Sequence, residues 1–201
     1  MKVLVVYCHP LAGSFTEAVR DALLEALAAG GAEIEVIDLY GEGFDPVLSA
    51  EELQNYIEPA VNTRLVERHV AALSAADALA FVYPTWWYGQ PAMLKGWLDR
   101  VLLPEVAFHM PKADGEDIRP ALTRIRTVAV FTTCGASRWL TWLVGAPGRR
   151  TLLRGVRTLC HRWARTVSVA HYSMDSSTDA SRARHLEKVR RAAEKLAKTA
   201  R

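Results

Sequence analysis

Short runs of consecutive apolar residues alternate along this chain with longer stretches in which apolar residues recur every three or four positions. The first pattern is typical of parallel strands covered on both faces, and the second of amphipathic helices. The apolar runs predict strands at residues 2–8, 33–39, 78–83, 127–131 and 167–171. The periodic stretches predict helices at residues 16–30, 61–75, 91–104, 148–163 and 179–198, and a capping box of Ser49 and Glu52 predicts the start of a short helix there.

This alternation of strands and helices predicts the fold class. A strand, helix and second strand open the chain, and such a unit within one sheet is parallel and right-handed. Its repetition predicts an α/β protein with a doubly wound, five-stranded parallel sheet and helices on both faces. The pattern alone does not choose the strand order. We expect one domain over residues 1–201, with residues 105–124 forming a loop that covers the site.

Length and cysteine content restrict the class of protein further. A chain of 201 residues is long enough to bury about 70% of its unfolded surface without covalent staples. The three cysteines are odd in number and lack metal-binding spacing, so we expect neither a disulfide framework nor a metal site. We predict a cytoplasmic protein without membrane insertion, because no leader and no apolar stretch of about 18 residues is present.

The charge is unevenly distributed although the net value is only +3. No acidic residue lies between Asp117 and Asp175, and this segment is rich in arginine. Such a field attracts anions. It indicates either an ordinary solvated face or a surface for dinucleotide phosphates, an acidic partner or nucleic acid. We predict no nucleic acid, because no recognised binding motif accompanies the charge.

An aromatic segment follows the third predicted strand. In open α/β sheets, ligands bind in the crevice beyond the carboxyl ends of the strands, so this segment should lie there. Three large aromatic side chains form either a hydrophobic plug or the wall of a site for a planar ring. The segment runs through Pro84, Thr85, Trp86, Trp87 and Tyr88.

Two other loops end at the same predicted edge of the sheet. Residues 9–16 turn from a strand into a helix, which predicts an anion site from free backbone N–H groups and the hydroxyls of Ser14 and Thr16. Alternatively, Ser14 only caps the helix and His9 is an ordinary loop histidine. The loop after the fourth strand offers hydroxyls and backbone donors, or is a plain turn, and we expect its Cys134 to be a small packing residue.

Taken together and in this order, these loops resemble the NAD(P)H:quinone reductase family, which has a flavodoxin-like fold. The resemblance covers roughly the first 135 residues, and residues 84–100 are its most specific part. The motifs that carry it are His9-Pro10 with Ser14-Phe15, Asp38-Leu39-Tyr40 with residues 44–49, Pro84-Thr-Trp-Trp-Tyr-Gly-Gln-Pro-Ala-Met-Leu-Lys-Gly-Trp-Leu-Asp-Arg100, and Thr132-Thr133.

The resemblance implies a strand order of 2-1-3-4-5 with a flavin at the switch point. The flavin phosphates would lie on His9, Ser14, Phe15 and Thr16. The flavin ring would be lined by Pro84, Thr85, Trp86, Trp87 and Tyr88, and its polar edge would be completed by Thr132, Thr133 and Gly135.

The resemblance also implies cofactors and partners. FAD is favoured over FMN, because residues 38–49 resemble the corresponding segment of FAD-binding members. NAD(P)H would be the electron donor and a quinone-like molecule the acceptor, using the site in turn by ping-pong hydride transfer. Family members are typically homodimers whose sites are shared between chains.

The chain departs from the family pattern on the acceptor side. Cys134 stands where members with a glycine pair have the first glycine. The Tyr and His of some quinone reductases have no obvious counterpart here, and Trp139, Leu140 and Trp142 occupy that region. No catalytic side chain is assigned. The alternative function is a flavin-binding regulatory subunit that couples redox state to a transporter or other partner.

Overall fold

A parallel sheet of five strands organises the part of the chain that this computed structural model describes, residues 1–59, 61–113 and 115–198. Hydrogen bonding places the strands in the order β2-β1-β3-β4-β5, with every neighbouring pair parallel. This confirms the predicted fold class and the 2-1-3-4-5 order. The strands are β1 (Lys2–Tyr7), β2 (Glu33–Asp38), β3 (Ala78–Thr85), β4 (Thr127–Cys134) and β5 (Arg165–His171).

Helices cover both faces of the sheet. They are α1 (Phe15–Ala29), α2 (Ala50–Gln54), α3 (Glu67–Ala75), α4 (Ala92–Val101), α5 (Arg138–Val144), α6 (Pro147–Arg150) and α7 (Asp179–Lys198). Strand β1 shows why two layers are needed, because its side chains alternate between two apolar cores. Val3 and Val5 face the core that α1 and α7 complete, whereas Leu4 and Val6 face the core that contains Trp97 of α4.

Strands β3 and β4 run further than the apolar runs predict. Residues 132–134 were expected to form a loop, but they continue β4 and pair with residues 83–85 of β3. Their side chains are buried. Threonine is a good strand former despite its hydroxyl. The polar residues therefore form the carboxyl end of β4 and do not begin a loop.

The predicted helix over residues 61–75 is wrong in its first six residues. Helix α3 begins at Glu67, and residues 61–66 form turns such as the one in which Val66 N–H donates to the Thr63 carbonyl at 2.9 Å. Val61 and Leu65 are exposed and only Val66 of this segment's apolar residues is buried, so most of the apolar spacing that predicted a longer helix does not face the core. Position 60 lies outside the described residues.

The predicted basic helix over residues 148–163 is confirmed over residues 148–158, where α-helical and π-helical turns follow one another, and is wrong in its last five residues. Two left-handed residues, Gly145 at φ +89° and Ala146 at φ +47°, separate α5 from α6. Helix α6 then widens into a π-helical segment, Thr151–Val156. Residues 157 and 158 are again α-helical, and residues 159–164 return to β5 through turns. Helix α5 was not predicted, because its apolar residues do not recur at helical spacing and lie on its outward face.

Residues 105–124 do not cover the predicted site. Helix α4 carries the chain back to the amino-terminal edge of the sheet, so this excursion starts at the opposite edge. There Leu122 N–H donates to the Leu159 carbonyl at 3.0 Å, and Arg124 Nε donates to Asp77, which directly precedes β3, at 2.9 Å. The excursion contains two short antiparallel strands, Phe108–His109 and Arg119–Pro120. Position 114 lies outside the described residues.

Within the described ranges, no helix has both the length and the apolar character that crossing a membrane requires.

Candidate functional site

An open cleft of about 800 Å³ lies beyond the carboxyl ends of β3 and β4. The two strands are neighbours in the sheet, so the segments that follow them form facing walls. Seven of the predicted site residues line it: Pro84, Thr85, Trp86, Trp87, Tyr88, Thr133 and Gly135. The other lining residues, which the sequence reasoning did not assign to the site, are Cys134, Ala136, Met174 and Asp175.

The aromatic wall is a tight turn in an unusual backbone conformation. Trp86 and Gly89 form an antiparallel bridge, with hydrogen bonds of 2.9 and 3.3 Å between their backbones. The two residues between them, Trp87 and Tyr88, have φ of +48° and +62°. A two-residue turn of this kind normally contains asparagine and glycine. Left-handed conformations of other residues cost about 1–3 kcal/mol each and cluster at functional sites.

Helix α6 holds this turn in place. The Gly148 N–H donates to the Tyr88 carbonyl at 3.2 Å, and Gln90 Nε2 donates to the Gly148 carbonyl at 2.9 Å. A Cβ at Gly148 would lie 2.7 Å from the carbonyl carbon of Gly89. The approach is therefore possible only because residue 148 has no side chain. Trp87 is 96% exposed, so backbone contacts rather than burial of this ring position the turn.

Buried threonine hydroxyls connect the two walls and the first loop. The hydroxyl oxygens of Thr85 and Thr132 are 2.8 Å apart, and those of Thr16 and Thr133 are 3.0 Å apart. Predicted site residues from the loops after β1, β3 and β4 thus meet at one edge of the sheet. Thr132 lies behind the cleft wall instead of lining the cleft.

The loop of residues 9–16 lies beside the cleft without lining it. Ser14 caps α1, because its hydroxyl accepts from Glu17 N–H at 3.1 Å. The Glu17 carboxylate also accepts from Gly13 N–H, which lowers the pKa of this carboxyl. His9 Nδ1 accepts from Leu11 N–H at 3.1 Å. The Ser14 hydroxyl and the His9 ring therefore both have hydrogen-bond partners within the loop, and part of the donor capacity that would bind an anion is already used.

The N–H groups of Phe15 and Thr16 have no protein acceptor among the described residues. They belong to the first turn of α1, where the helix dipole is positive. The Phe15 ring points away from the cleft and packs edge-on against His171, with the ring centroids 5.3 Å apart. Anion binding at this loop would thus depend on backbone groups.

Met174 and Asp175 enter the cleft from the segment between β5 and α7. A Cβ at Gly135 would lie 3.4 Å from Asp175 Oδ2, so this carboxylate lies over the β4 loop. Asp175 is also the residue that ends the long stretch without acidic residues. Its place at the end of that stretch is the one feature of the sequence that could have assigned Asp175 to the site.

A half-buried cation lies behind the aromatic turn. Arg149 donates to the Tyr172 hydroxyl at 3.2 Å and lines a small recess together with Thr85, Tyr88 and Thr132. It forms no ion pair within the described residues. Burial raises the pKa of Tyr83, whose hydroxyl has no hydrogen-bond partner among the residues that the structure describes, and the charge of Arg149 partly opposes this shift.

Helix α4 also fixes the excursion that follows β2. Arg100 is 7% exposed and donates through Nε to Glu52 Oε1 at 2.7 Å and through Nη1 to the Asp45 carbonyl. The guanidinium lies over the Phe44 ring. Gly96 touches Pro46 so closely that a Cβ would overlap it. The segment of residues 84–100 therefore both forms the cleft wall and anchors residues 44–52.

The three cysteines are free and buried, and Cys134 packs against Thr141 with Sγ 3.6 Å from its hydroxyl. Among the described residues there is no group of three or more His, Cys, Asp or Glu side chains that could hold a metal ion.

Comparison with known proteins shows one matching family model and relatives that are named as oxidoreductases. Residues 1–196 match the Flavodoxin_2 family model, described as a flavodoxin-like fold. The chain is 34% identical over 138 residues to an uncharacterized NAD(P)H oxidoreductase of Haemophilus influenzae, with 68% of this chain and 66% of that protein covered. It is 31% identical over 166 residues to the ribosyldihydronicotinamide dehydrogenase [quinone] of Mus musculus, with 70% and 72% covered.

A solved structure shows the same similarity in three dimensions. The NAD(P)H:quinone oxidoreductase from Methanothermobacter marburgensis superposes with a TM-score of 0.79 at 29% identity, over 98% of this chain and 96% of that one. The alignment with the Haemophilus protein covers slightly less than two thirds of that protein's length.

Proposed function

The chain belongs to the Flavodoxin_2 family, and from this premise we propose that it is a flavin-dependent NAD(P)H oxidoreductase that reduces quinones or similar acceptors. The observation that carries the proposal is the cleft itself. A strained aromatic turn faces small polar residues across about 800 Å³, a volume within the range of ligand sites for small molecules and cofactors.

The residues at the cleft fit a flavin. Trp86 and Tyr88 offer apolar surface for a planar ring, whereas Thr85, Thr133 and the backbone around Gly135 offer polar groups for its edge. The free N–H groups of Phe15 and Thr16 suit the flavin phosphates. We favour FAD because residues 38–49 resemble those of FAD-binding members, with FMN as the alternative. A bound flavin would accept and donate the hydride.

The protein's own residues have a positioning task in this reaction. Donor and acceptor share one open cleft, so we propose that NAD(P)H leaves before the acceptor enters. Gly148 and Gln90 keep the turn rigid during this exchange. Arg149 places a positive charge behind the turn, where it would favour any negative charge that develops in the cleft. We further propose a single-domain, cytoplasmic homodimer.

The test is the released cofactor followed by turnover. Protein purified after expression should be yellow, mass spectrometry of the denatured supernatant should identify FAD or FMN, and the protein should oxidise NADPH or NADH with menadione as acceptor. Protein that is colourless and remains so after incubation with FAD and FMN would refute the proposal.

A second candidate is a flavin-binding regulatory subunit. It is favoured by the arginines between residues 119 and 165, most of which form no ion pair in the described part of the chain. Flavin-loaded protein without measurable turnover of either nicotinamide dinucleotide would favour this candidate. Fast turnover by the free protein would exclude a purely regulatory role.

A further inference from the structure

We propose that a second cleft, at the amino-terminal edge of the sheet, binds a small molecule that carries phosphate groups. The cleft has a volume of about 470 Å³. It lies beside the starts of β4 and β5, since His161 N–H donates to the Ile125 carbonyl at 3.0 Å. The cleft described above, beyond the carboxyl ends of β3 and β4, is at the opposite edge of the sheet, so the two sites are separate. The second cleft is lined by Pro120, Thr123, Arg157, Thr158, Cys160, His161 and Arg162.

The guanidinium of Arg157 is held in one orientation. Its Nε donates to the Ala164 carbonyl at 2.7 Å, and the side chain is half-buried. No protein acceptor among the described residues binds its two terminal nitrogens. A planar guanidinium anchored through Nε presents those nitrogens as a fixed pair of donors, which matches the spacing of two oxygens of a phosphate group.

His161 adds a third donor. Its Nδ1 accepts from the Trp163 backbone N–H at 3.1 Å, so the neutral ring carries its proton on Nε2. Arg162 follows in sequence, and its guanidinium lies 4.7 Å from the centre of the Trp163 ring. Stacking on an aromatic face restricts an arginine while leaving its N–H groups free.

No acidic side chain lines this cleft. Neither Arg157 nor Arg162 forms an ion pair within the described residues. Two more exposed arginines, Arg126 and Arg165, are held side by side by a 2.9 Å backbone hydrogen bond and also lack an acidic partner in the described ranges. Only Arg124 is neutralised nearby, by Asp77. The positive charge is thus available for a ligand.

The shape of the site favours a small molecule. A volume of about 470 Å³ is much larger than one phosphate ion needs and lies within the range for small-ligand sites. The lining combines the nitrogen donors of Arg157, His161 and Arg162 with the hydroxyl of Thr123 and with that of Thr158, which donates to the Gly155 carbonyl and can still accept. A phosphate ester whose body carries donors therefore satisfies more of the lining than inorganic phosphate does. A DNA duplex or an anionic membrane would contact a wider surface than the seven residues that line this cleft.

Isothermal titration of the flavin-loaded protein with inorganic pyrophosphate and with ribose 5-phosphate tests this inference. We expect saturable binding of one molecule per chain that weakens as salt rises. Arg162→Gln should weaken it about tenfold, equivalent to about 1.4 kcal/mol, because the substitution removes a charge-assisted hydrogen bond. Arg157→Lys should weaken it similarly, since lysine keeps the charge but loses the fixed pair of donors.

Arg184→Gln is the matched control. It removes the same charge from an exposed position on α7 and should leave the affinity unchanged. Equal weakening by Arg162→Gln and Arg184→Gln would reduce the effect to overall charge and overturn the proposal. So would the absence of binding, or binding that only a DNA duplex or anionic lipid vesicles show. Circular dichroism of each variant verifies that it is folded.

Discussion

At the scale of single residues, one missing side chain controls the aromatic turn. Gly148 lets α6 approach until a Cβ there would meet the backbone of Gly89 and Gln90 at 2.7–2.9 Å. We predict that Gly148→Ala displaces the turn and weakens flavin binding about tenfold, because the strain involved is about 1–3 kcal/mol. Titration of apoprotein with flavin, followed by fluorescence, measures the effect.

The control for this substitution lies in the adjacent helical segment. A Cβ at Gly155 meets no heavy atom within 4 Å, so Gly155→Ala should leave flavin affinity unchanged. Equal affinities for the two alanine variants and the wild type would mean that the contact between α6 and the turn does not position the cofactor.

A second residue-scale prediction concerns Arg100. Its ion pair with Glu52 is largely buried, with 8% and 15% of the two side chains exposed. Removing one partner of a buried pair leaves the other charge without compensation, so Arg100→Met should lower the free energy of unfolding by about 3–5 kcal/mol. Urea denaturation measures it.

The exposed pair of Lys95 and Asp99 on the same helix provides the comparison for Arg100. There Lys95→Met should change the free energy of unfolding by less than about 1 kcal/mol. If Arg100→Met and Lys95→Met lowered the free energy of unfolding by similar amounts, burial would add nothing to the stability that the Arg100–Glu52 pair contributes.

At the scale of elements, two buried histidines join β5 to α7. The rings of His171 and His185 meet edge to face with centroids 5.1 Å apart, and both also contact Phe15 at the start of α1. Burial lowers the pKa of His185 to about 4, with the neighbouring His171 adding to the shift. Burial, together with Arg182 and Lys188, lowers the pKa of His171 as well.

These shifts predict loss of stability in acid. Both histidines therefore gain their protons at lower pH in the folded protein than in the unfolded chain, where protonation occurs below about pH 6.5. The contribution of His185 is complete above about pH 6.5 and is lost as the pH falls to about 4, and it amounts to about 3 kcal/mol. The free energy of unfolding, measured by urea denaturation at several pH values between 7 and 4.5, should fall more steeply with decreasing pH for wild type than for His185→Leu. Equal slopes would contradict the prediction.

At the scale of the whole molecule, α5 presents an apolar surface to solvent. Trp139, Trp142, Leu143 and Val144 are all exposed, and contiguous apolar patches on this scale mark interaction sites. The predicted homodimer would account for this patch. Sedimentation analysis should give twice the chain mass of 22.3 kDa, and Trp142→Arg should shift the protein towards monomer.

Trp163 supplies the matched control for the dimer. It is 70% exposed, compared with 71% for Trp142, but it lies at the amino-terminal edge of the sheet. Trp163→Arg should therefore leave the mass unchanged. A monomeric wild type, or equal dissociation by both variants, would contradict the predicted role of α5.

Much of this architecture could be predicted from the amino-acid sequence because hydrophobic periodicity is a local property. The five apolar runs identified the sheet strands, and the family match confirms the resemblance that residues 84–100 suggested. The loops that end at the carboxyl edge followed from the parallel topology alone. The aromatic segment and Thr133 were assigned to this edge in the same way, and both line the cleft.

Contacts between distant segments were decided only by the tertiary structure. Asp175 enters the cleft, Gly148 approaches the aromatic turn, and residues 105–124 lie at the opposite edge, although hydrophobic periodicity indicates none of these positions. Each depends on the direction that the chain takes after a neighbouring helix or strand has packed. Periodicity reports which face of an element is buried, whereas the packing of whole elements determines which loops meet.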